Sequence, residues 1–305
     1  DGSGNLYVAD THNQSIRKIG LPNRAPVFST AAILSINEGQ EYSYKIGVTD
    51  ADNDHITVTA STLPSWLSLT EITTTAVTTI SQQGDFVVPG AMTTIAGTGV
   101  AGSADGNGTS ASFTHPRGIC VDTAGNLYVA DAGNHTIRKI APDGTVSTIA
   151  GSAGNRGNVD GNGTSARFYS PSDIEIDGSG NLYVIDTDNH NIRKIDTNGN
   201  VTIYSGNGYR GSADGNRASA SFYYPSNLTI DKDDNIYIND QGNGTIRKIT
   251  SAGVVTTFIG VAGSFGDVNG NGTSARTNYA AGMTVDPLGN VYLAAQGNSK
   301  VKKIT

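Results

Sequence analysis

The sequence predicts an all-β protein built as a β-propeller of four-stranded blades, and three observations carry that expectation. One stretch, DTAGNLYVADAGNHTIRKIAPDGTVSTIAG from Asp122, returns as DGSGNLYVIDTDNHNIRKIDTNGNVTIYSG from Asp177, DKDDNIYINDQGNGTIRKITSAGVVTTFIG from Asp231 and DPLGNVYLAAQGNSKVKKIT from Asp286. These copies begin 55, 54 and 55 residues apart, and a fixed period of that size denotes a repeat architecture. Each copy holds four short runs of Val, Ile, Leu and Tyr that are apolar on both faces, so one small sheet cannot cover them alone. Packing such sheets broadside around an axis buries both faces and leaves only short edges.

In the copy from Phe113, residues 119–121 are the first strand and 123–126 a turn. Residues 127–130 form the second strand, 131–135 a polar connection, 136–140 the third strand and 146–149 the fourth. Gly125 and the Asp143-Gly144 pair supply the positive φ of tight hairpins, and Asp234 stands where another copy has glycine. Asp1 opens a fifth copy, DGSGNLYVADTHNQSIRKI, which breaks at Gly20 and resumes at Met92 with a run matching the fourth strand. The chain therefore divides into residues 1–20, part of the first propeller repeat; 21–90, an insertion at a hairpin turn; and 91–305, the remaining repeats. Exposed turns accept such insertions without disturbing a core.

Composition bounds the function. The net charge is −7, and ten of the 20 Lys and Arg are a pair repeated around the ring, from Arg17-Lys18 to Lys302-Lys303. Phosphate recognition needs clustered positive charge, so the expectation is no nucleic-acid partner. No apolar run reaches the roughly 18 residues of a membrane span. The single cysteine, Cys120, lies in a strand and reads as a core thiol.

Asn134-His135 and Asn189-His190, each set between a Tyr-Val-x-Asp strand and an Ile-Arg-Lys-Ile strand, resemble the NHL repeat. The lead-in Phe168-Tyr169-Ser170-Pro171, with Ser165-Ala166-Arg167 before it, resembles the bacterial and plant secreted branch of that family. The resemblance implies a propeller of about five repeats here, part of a six-bladed ring. NHL propellers include enzymes, RNA binders and surface adhesion modules, so fold alone does not give function. Residues 23–69 of the insertion, with Asp50-Ala51-Asp52-Asn53-Asp54 and Leu63-Pro64-Ser65-Trp66-Leu67, resemble the cadherin-like, immunoglobulin-type modules of prokaryotic surface proteins, which implies a small β-sandwich-like segment.

Equivalent positions at the innermost strands give the ligand-face candidates. Seven residues before the repeat aspartate stand His115, Ser170, Tyr224 and Tyr279; five before it Arg117, Ser172, Ser226 and Ala281; two before it Cys120, Glu175, Thr229 and Thr284. Of these, His115, Arg117, Ser172, Glu175, Tyr224 and Tyr279 are the candidate ligand contacts. A metal or acid–base site needs several convergent His, Asp or Glu, and only His115 and Glu175 offer themselves, so no catalytic set is assigned. His135 and His190 read as holding their connections. No cofactor is expected; Asp50, Asp52 and Asp54 are candidate calcium ligands, against the plainer reading of a solvated turn. The connections at 103–110, 160–165, 214–219 and 269–274 read as Asx turns on the same face as the 131–135 connections. The recurring Arg138, Arg193 and Arg247 with Asp131, Asp186 and Asp240 read as an inter-blade brace.

These readings converge on a non-catalytic, extracellular or cell-surface module whose loop face meets a protein or glycan, or builds an assembly with other copies or flanking domains. The alternative is a secreted lyase or hydrolase with a metal-assisted site at the channel mouth, using His115 and Glu175.

Overall fold

The computed structural model describes residues 6–19, 27–28, 48–49 and 92–305. The chain forms two compact units, one of Asp1–Ile19 with Met92–Thr305 and one of Gly20–Ala91. In the second unit the described residues are two short antiparallel strands, Val27–Phe28 and Val48–Thr49. The readings placed on Asp50, Asp52, Asp54, Trp66 and the cadherin-like segment lie outside the described residues.

The first unit is a five-bladed β-propeller of antiparallel sheets. Blade 1 has three strands, Leu6–Asp10, Ser15–Ile19 and Met92–Ala96. Blade 2 runs outward from Pro116–Val121 through Leu127–Asp131 and Thr136–Ile140 to Thr145–Gly151. Blades 3 and 4 repeat that order from Pro171–Ile176 and Pro225–Ile230. Blade 5 has three strands, Ala280–Val285, Val291–Ala295 and Lys300–Ile304. The innermost strands start three residues earlier than their apolar runs suggest, at the prolines of blades 2 to 4, which lack an N–H and so suit a strand's first position.

Blades 2, 3 and 4 are five-stranded, not four-stranded. Gly106–Asn107, Gly161–Asn162 and Gly215–Asn216 pair with the outermost strand of the blade that follows them in sequence. The connections therefore do not share the face of the 131–135 turns as expected; they descend the outer rim to its opposite end. There Asn107 Nδ2 donates to the Asp143 carbonyl at 3.2 Å and Asn162 Nδ2 to that of Asn198 at 2.9 Å. Only the segments on either side of these strands stay at the face of the Asn-His turns, where the Gly154 N–H reaches the Asn134 carbonyl.

Each repeat aspartate organises the first turn. Asp122 Oδ1 accepts from the Ala124 and Asn126 N–H groups, while Oδ2 accepts from Asn126 Nδ2 and Tyr128 Oη. The same set recurs at Asp177, Asp231 and Asp286, which explains why Asp, Asn and Tyr travel together.

The core lies between blades. Phe168, fully buried, packs with Ala130, Ile137 and Ala150 of blade 2 and with Ile174, Val184 and Ile195 of blade 3. Phe113 fills the seam of blades 1 and 2, and Phe222 that of blades 3 and 4. Thr277 stands at the corresponding place before blade 5. Cys120, expected in the core, is half-buried on an innermost strand with only one side against that core. Its thiol is pushed well above the usual range by burial and by the nearby charges of Glu175, Asp173 and Asp122.

Candidate functional site

Arg138, Arg193 and Arg247 are fully buried, the largest side chains to be so among the described residues. Arg193 donates to Asp186 Oδ2 at 3.1 Å, to Asp160 Oδ1 at 2.7 Å and to the carbonyls of Val159 and Arg167. Its guanidinium lies 5.2 Å from the Phe168 ring centre. Arg138 and Arg247 repeat this with Asp131 and Asp105, and with Asp240 and Asp214. Each arginine thus ties its own blade to the lead-in segment wedged against the preceding blade, whose Gly163–Ser165 turn packs on the outer strand of blade 2. Asp105, Asp160 and Asp214, read from sequence as turn formers, are the arginines' second carboxylates. Asn134, Asn189 and Asn243 complete the cluster by donating to Asp131, Asp186 and Asp240 at 2.8 Å. Burial pushes the Asp186 and Asp240 carboxyls up to about 6, against the pull of these donors, so both are carboxylates at neutral pH.

His135 and His190 join consecutive copies. His135 Nδ1 accepts the Ser170 N–H at 3.1 Å and His190 Nδ1 the Tyr224 N–H at 3.3 Å; burial holds both imidazoles below their ordinary range. In blade 1 Gln14 Oε1 accepts the His115 N–H instead. In blade 4 the position is Gly244, where a Cβ would meet the Phe265 ring at 2.8 Å, and Phe265 stacks on Tyr279 at 5.9 Å.

The innermost strands converge on a cavity of about 310 Å³ lined by Thr11, Arg117, Gly118, Ser172, Asp173 and Ser226, with Asn227, Gln241, Ala280, Ala281 and Gln296. Every blade contributes. Arg117 is exposed and makes no ion pair or hydrogen bond among the described residues. Ser172 lines the cavity but is engaged: its Oγ donates to the Ser226 carbonyl at 2.8 Å and accepts from Thr187 Oγ1 at 2.7 Å. His115, Ser170, Tyr224 and Tyr279 all take the left-handed backbone region, at φ between 42° and 54°, where the chain turns into each innermost strand. That conformation costs an ordinary L-residue about 1–2 kcal/mol. It leaves Tyr224 44% and Tyr279 53% exposed just outside residues that line the cavity.

The column four residues before the repeat aspartate holds the residue that sequence comparison missed. Asp173 Oδ2 accepts the Leu228 N–H of blade 4 at 2.9 Å and Oδ1 its neighbour's N–H at 3.0 Å. A Cβ on Gly118 would lie 2.4 Å from the Asp173 Cα, so only glycine lets the blade 2 strand pass. The signal was a carboxylate in Pro171–Ile176 at the column where the blade 2 strand has Gly118 and the blade 4 strand Asn227. Burial pushes Asp173 up to about 6. Burial, then the charge of Asp173, pushes Glu175 up to about 7. The structure therefore pairs Glu175 with Asp173 and Cys120, and does not bring it to His115. Among the described residues no three His, Cys, Asp or Glu side chains gather as a metal site.

A pH experiment follows. The folded state favours protonated Glu175, so this group's contribution to stability is full below about 4.5 and is lost as pH rises through about 7. The Glu175→Gln variant is expected to gain stability relative to the parent between pH 5 and 8, read from urea midpoints at each pH. A constant difference across that window would rule this out.

Comparison with known proteins agrees with the geometry. The NHL repeat profile matches residues 113–140 and 168–195. Protein SUPPRESSOR OF QUENCHING 1 of Arabidopsis thaliana is 29% identical over 69% of this chain and 21% of its own length. A probable peptidyl-alpha-hydroxyglycine alpha-amidating lyase of Caenorhabditis elegans, pgal-1, is 30% identical over 44% of this chain and 37% of its own. The chain thus spans well under half the length of these relatives. An auxiliary nutrient binding protein from Bacteroides thetaiotaomicron shares the fold with a TM-score of 0.54 at 18% identity, covering 71% of this chain and 50% of that one. Among the described residues no helix is long and apolar enough to cross a membrane. The chain is a five-bladed β-propeller carrying NHL repeats, with the pattern matched directly in its second and third blades.

Proposed function

We propose that this chain is a non-catalytic binding module of the cell exterior, which presents the channel mouth and the Asn-His face to a glycan or protein. The observation that carries this reading is the cavity itself: residues from five blades converge on it, and its polar lining is amides, hydroxyls, one unpaired cation and the seam-facing Asp173. Such a lining suits recognition of a polar, hydrogen-bonding ligand by a largely pre-formed site. Gln241 and Gln296 occupy equivalent places at the start of the turns that follow the second strands of blades 4 and 5, where neither amide is engaged by a side-chain partner among the described residues.

The test is binding to a printed panel of saccharides by the parent and by a Gln241→Ala/Gln296→Ala variant. Retention of a saccharide class by the parent, weakened about tenfold or more in the variant, is expected. Retention unaffected by the variant would remove the mouth as the ligand surface. A second reading, lyase or hydrolase chemistry, is favoured by Glu175 on an innermost strand, whose carboxyl burial and the charge of Asp173 push up to about 7. Stoichiometric zinc in the purified protein would support it, whereas calcium alone fits the binding module.

A further inference from the structure

We propose that the channel mouth selects a carboxylate-bearing sugar, with the acid group on Arg117 and the sugar ring against the exposed phenols of Tyr224 and Tyr279. The proposal rests on the binding reading of that same cavity and gives its ligand a chemical class. A guanidinium presents a planar fork of donors that matches a carboxylate in two parallel hydrogen bonds. Arg17 is occupied by Asp10, Arg138, Arg193 and Arg247 by their buried aspartates, and Arg156 by the Tyr169 ring and hydroxyl, while Arg210, exposed and likewise without a side-chain partner among the described residues, does not line the cavity. Arg117 lines the cavity and has no such partner. The one carboxylate beside it, Asp173, is turned into the seam of blades 3 and 4, where the Leu228 and Ile174 amides hold both of its oxygens.

The remaining lining favours a sugar over a peptide. Thr11, Ser226, Asn227, Gln241 and Gln296 offer hydroxyls and amides for ring hydroxyls, and the apolar lining is limited to Ala280 and Ala281, too small to make a pocket for a peptide side chain. Tyr224 and Tyr279 directly precede Pro225–Ile230 and Ala280–Val285, of which Ser226, Asn227, Ala280 and Ala281 line the cavity. Phe265 stacks on Tyr279 at 5.9 Å and so fixes the orientation of that ring. Aromatic faces at the rim of a polar cavity provide flat apolar contact of the kind a pyranose face needs.

Calorimetric titration with a galacturonic acid trimer and the matching neutral galactose trimer tests this. The acidic trimer is expected to bind at least about tenfold more tightly, and Arg117→Gln, an exposed change with an unaltered thermal midpoint, is expected to abolish the preference while leaving the neutral affinity. Tyr224→Ala/Tyr279→Ala is expected to weaken both trimers. Equal affinity for the two, or a preference that survives Arg117→Gln, overturns the acid assignment and leaves the glycan reading standing. No measurable binding of either trimer overturns it also, as does a peptide carboxyl terminus that binds through Arg117 more tightly than the acidic trimer.

Discussion

Asp186→Ala is expected to destabilise the propeller by about 3–5 kcal/mol, the cost of leaving one member of a buried ion pair without its partner. Three donors converge on the Asp186 carboxylate: the Tyr169 N–H at 2.7 Å, Asn189 Nδ2 at 2.8 Å and Arg193 Nη1 at 3.1 Å. Removing it leaves the Tyr169 N–H without its acceptor, and Arg193, fully buried, keeps two backbone carbonyls but only one carboxylate, Asp160, which is half-exposed and screened by solvent. Asp186→Asn preserves shape and some hydrogen bonding but not charge, so it is expected to fall between the parent and the alanine variant. Equilibrium urea unfolding by circular dichroism measures both. A loss below about 1 kcal/mol for the alanine variant would show the pair to be incidental to the fold.

Blade 5 supplies a natural comparison for that prediction. Ala295 stands where the other blades have aspartate, Lys302 where they have arginine and Thr277 where three of them have phenylalanine. The three departures occur together because they are one device: a buried guanidinium needs its carboxylate for charge and the phenyl ring for cover. Lys302 instead reaches Asp267 at 2.8 Å and the Arg276 carbonyl at 2.9 Å, in a more solvated setting. A flexible ammonium makes point contacts there in place of a fork. In blade 1 the Arg17–Asp10 pair is intact but about a quarter exposed, which lowers its worth.

The blade pattern was legible because apolar alternation and turn chemistry coincide in every copy: the second and third strands of blade 2, Leu127–Asp131 and Thr136–Ile140, lie within one residue of the runs that foretold them. The rim strands were not legible, since Gly106–Asn107 and its equivalents are two residues of poor strand propensity, held by a neighbouring edge. The same cause misplaced the connections on the Asn-His face and hid the ion-pair role of Asp105, Asp160 and Asp214. At the candidate site, repeat alignment found the columns of Arg117 and Tyr224. It could not show that Ser172 is consumed by Ser226 and Thr187, nor that Asp173 reaches into blade 4. Those facts depend on which neighbouring blade each side chain meets, and a single repeat carries no record of its neighbour.

Phe222→Ala is expected to cost about 3–5 kcal/mol, the range for emptying a buried aromatic site. Phe222 is fully buried among Tyr183, Ile185 and Ile192 of blade 3 and Leu228, Ile236, Ile238 and Ile249 of blade 4. Its ring also lies 5.2 Å from the Arg247 guanidinium, and the Tyr223 and Gly242 backbones that follow from it meet in a 2.7 Å hydrogen bond. Truncation therefore opens a cavity at the seam and uncovers the brace at once. Phe222→Leu restores much of the volume without the ring, so the difference between the two variants separates packing from the cation–π contribution, which is worth about 0.5–2 kcal/mol. Because the ring belongs to both blades, the alanine variant is also expected to reduce cooperativity, seen as faster hydrogen exchange in blades 3 and 4 together. Exchange confined to blade 4 would mean that each sheet is stable by itself, contrary to the physical basis of the fold: blades apolar on both faces gain cover only from one another.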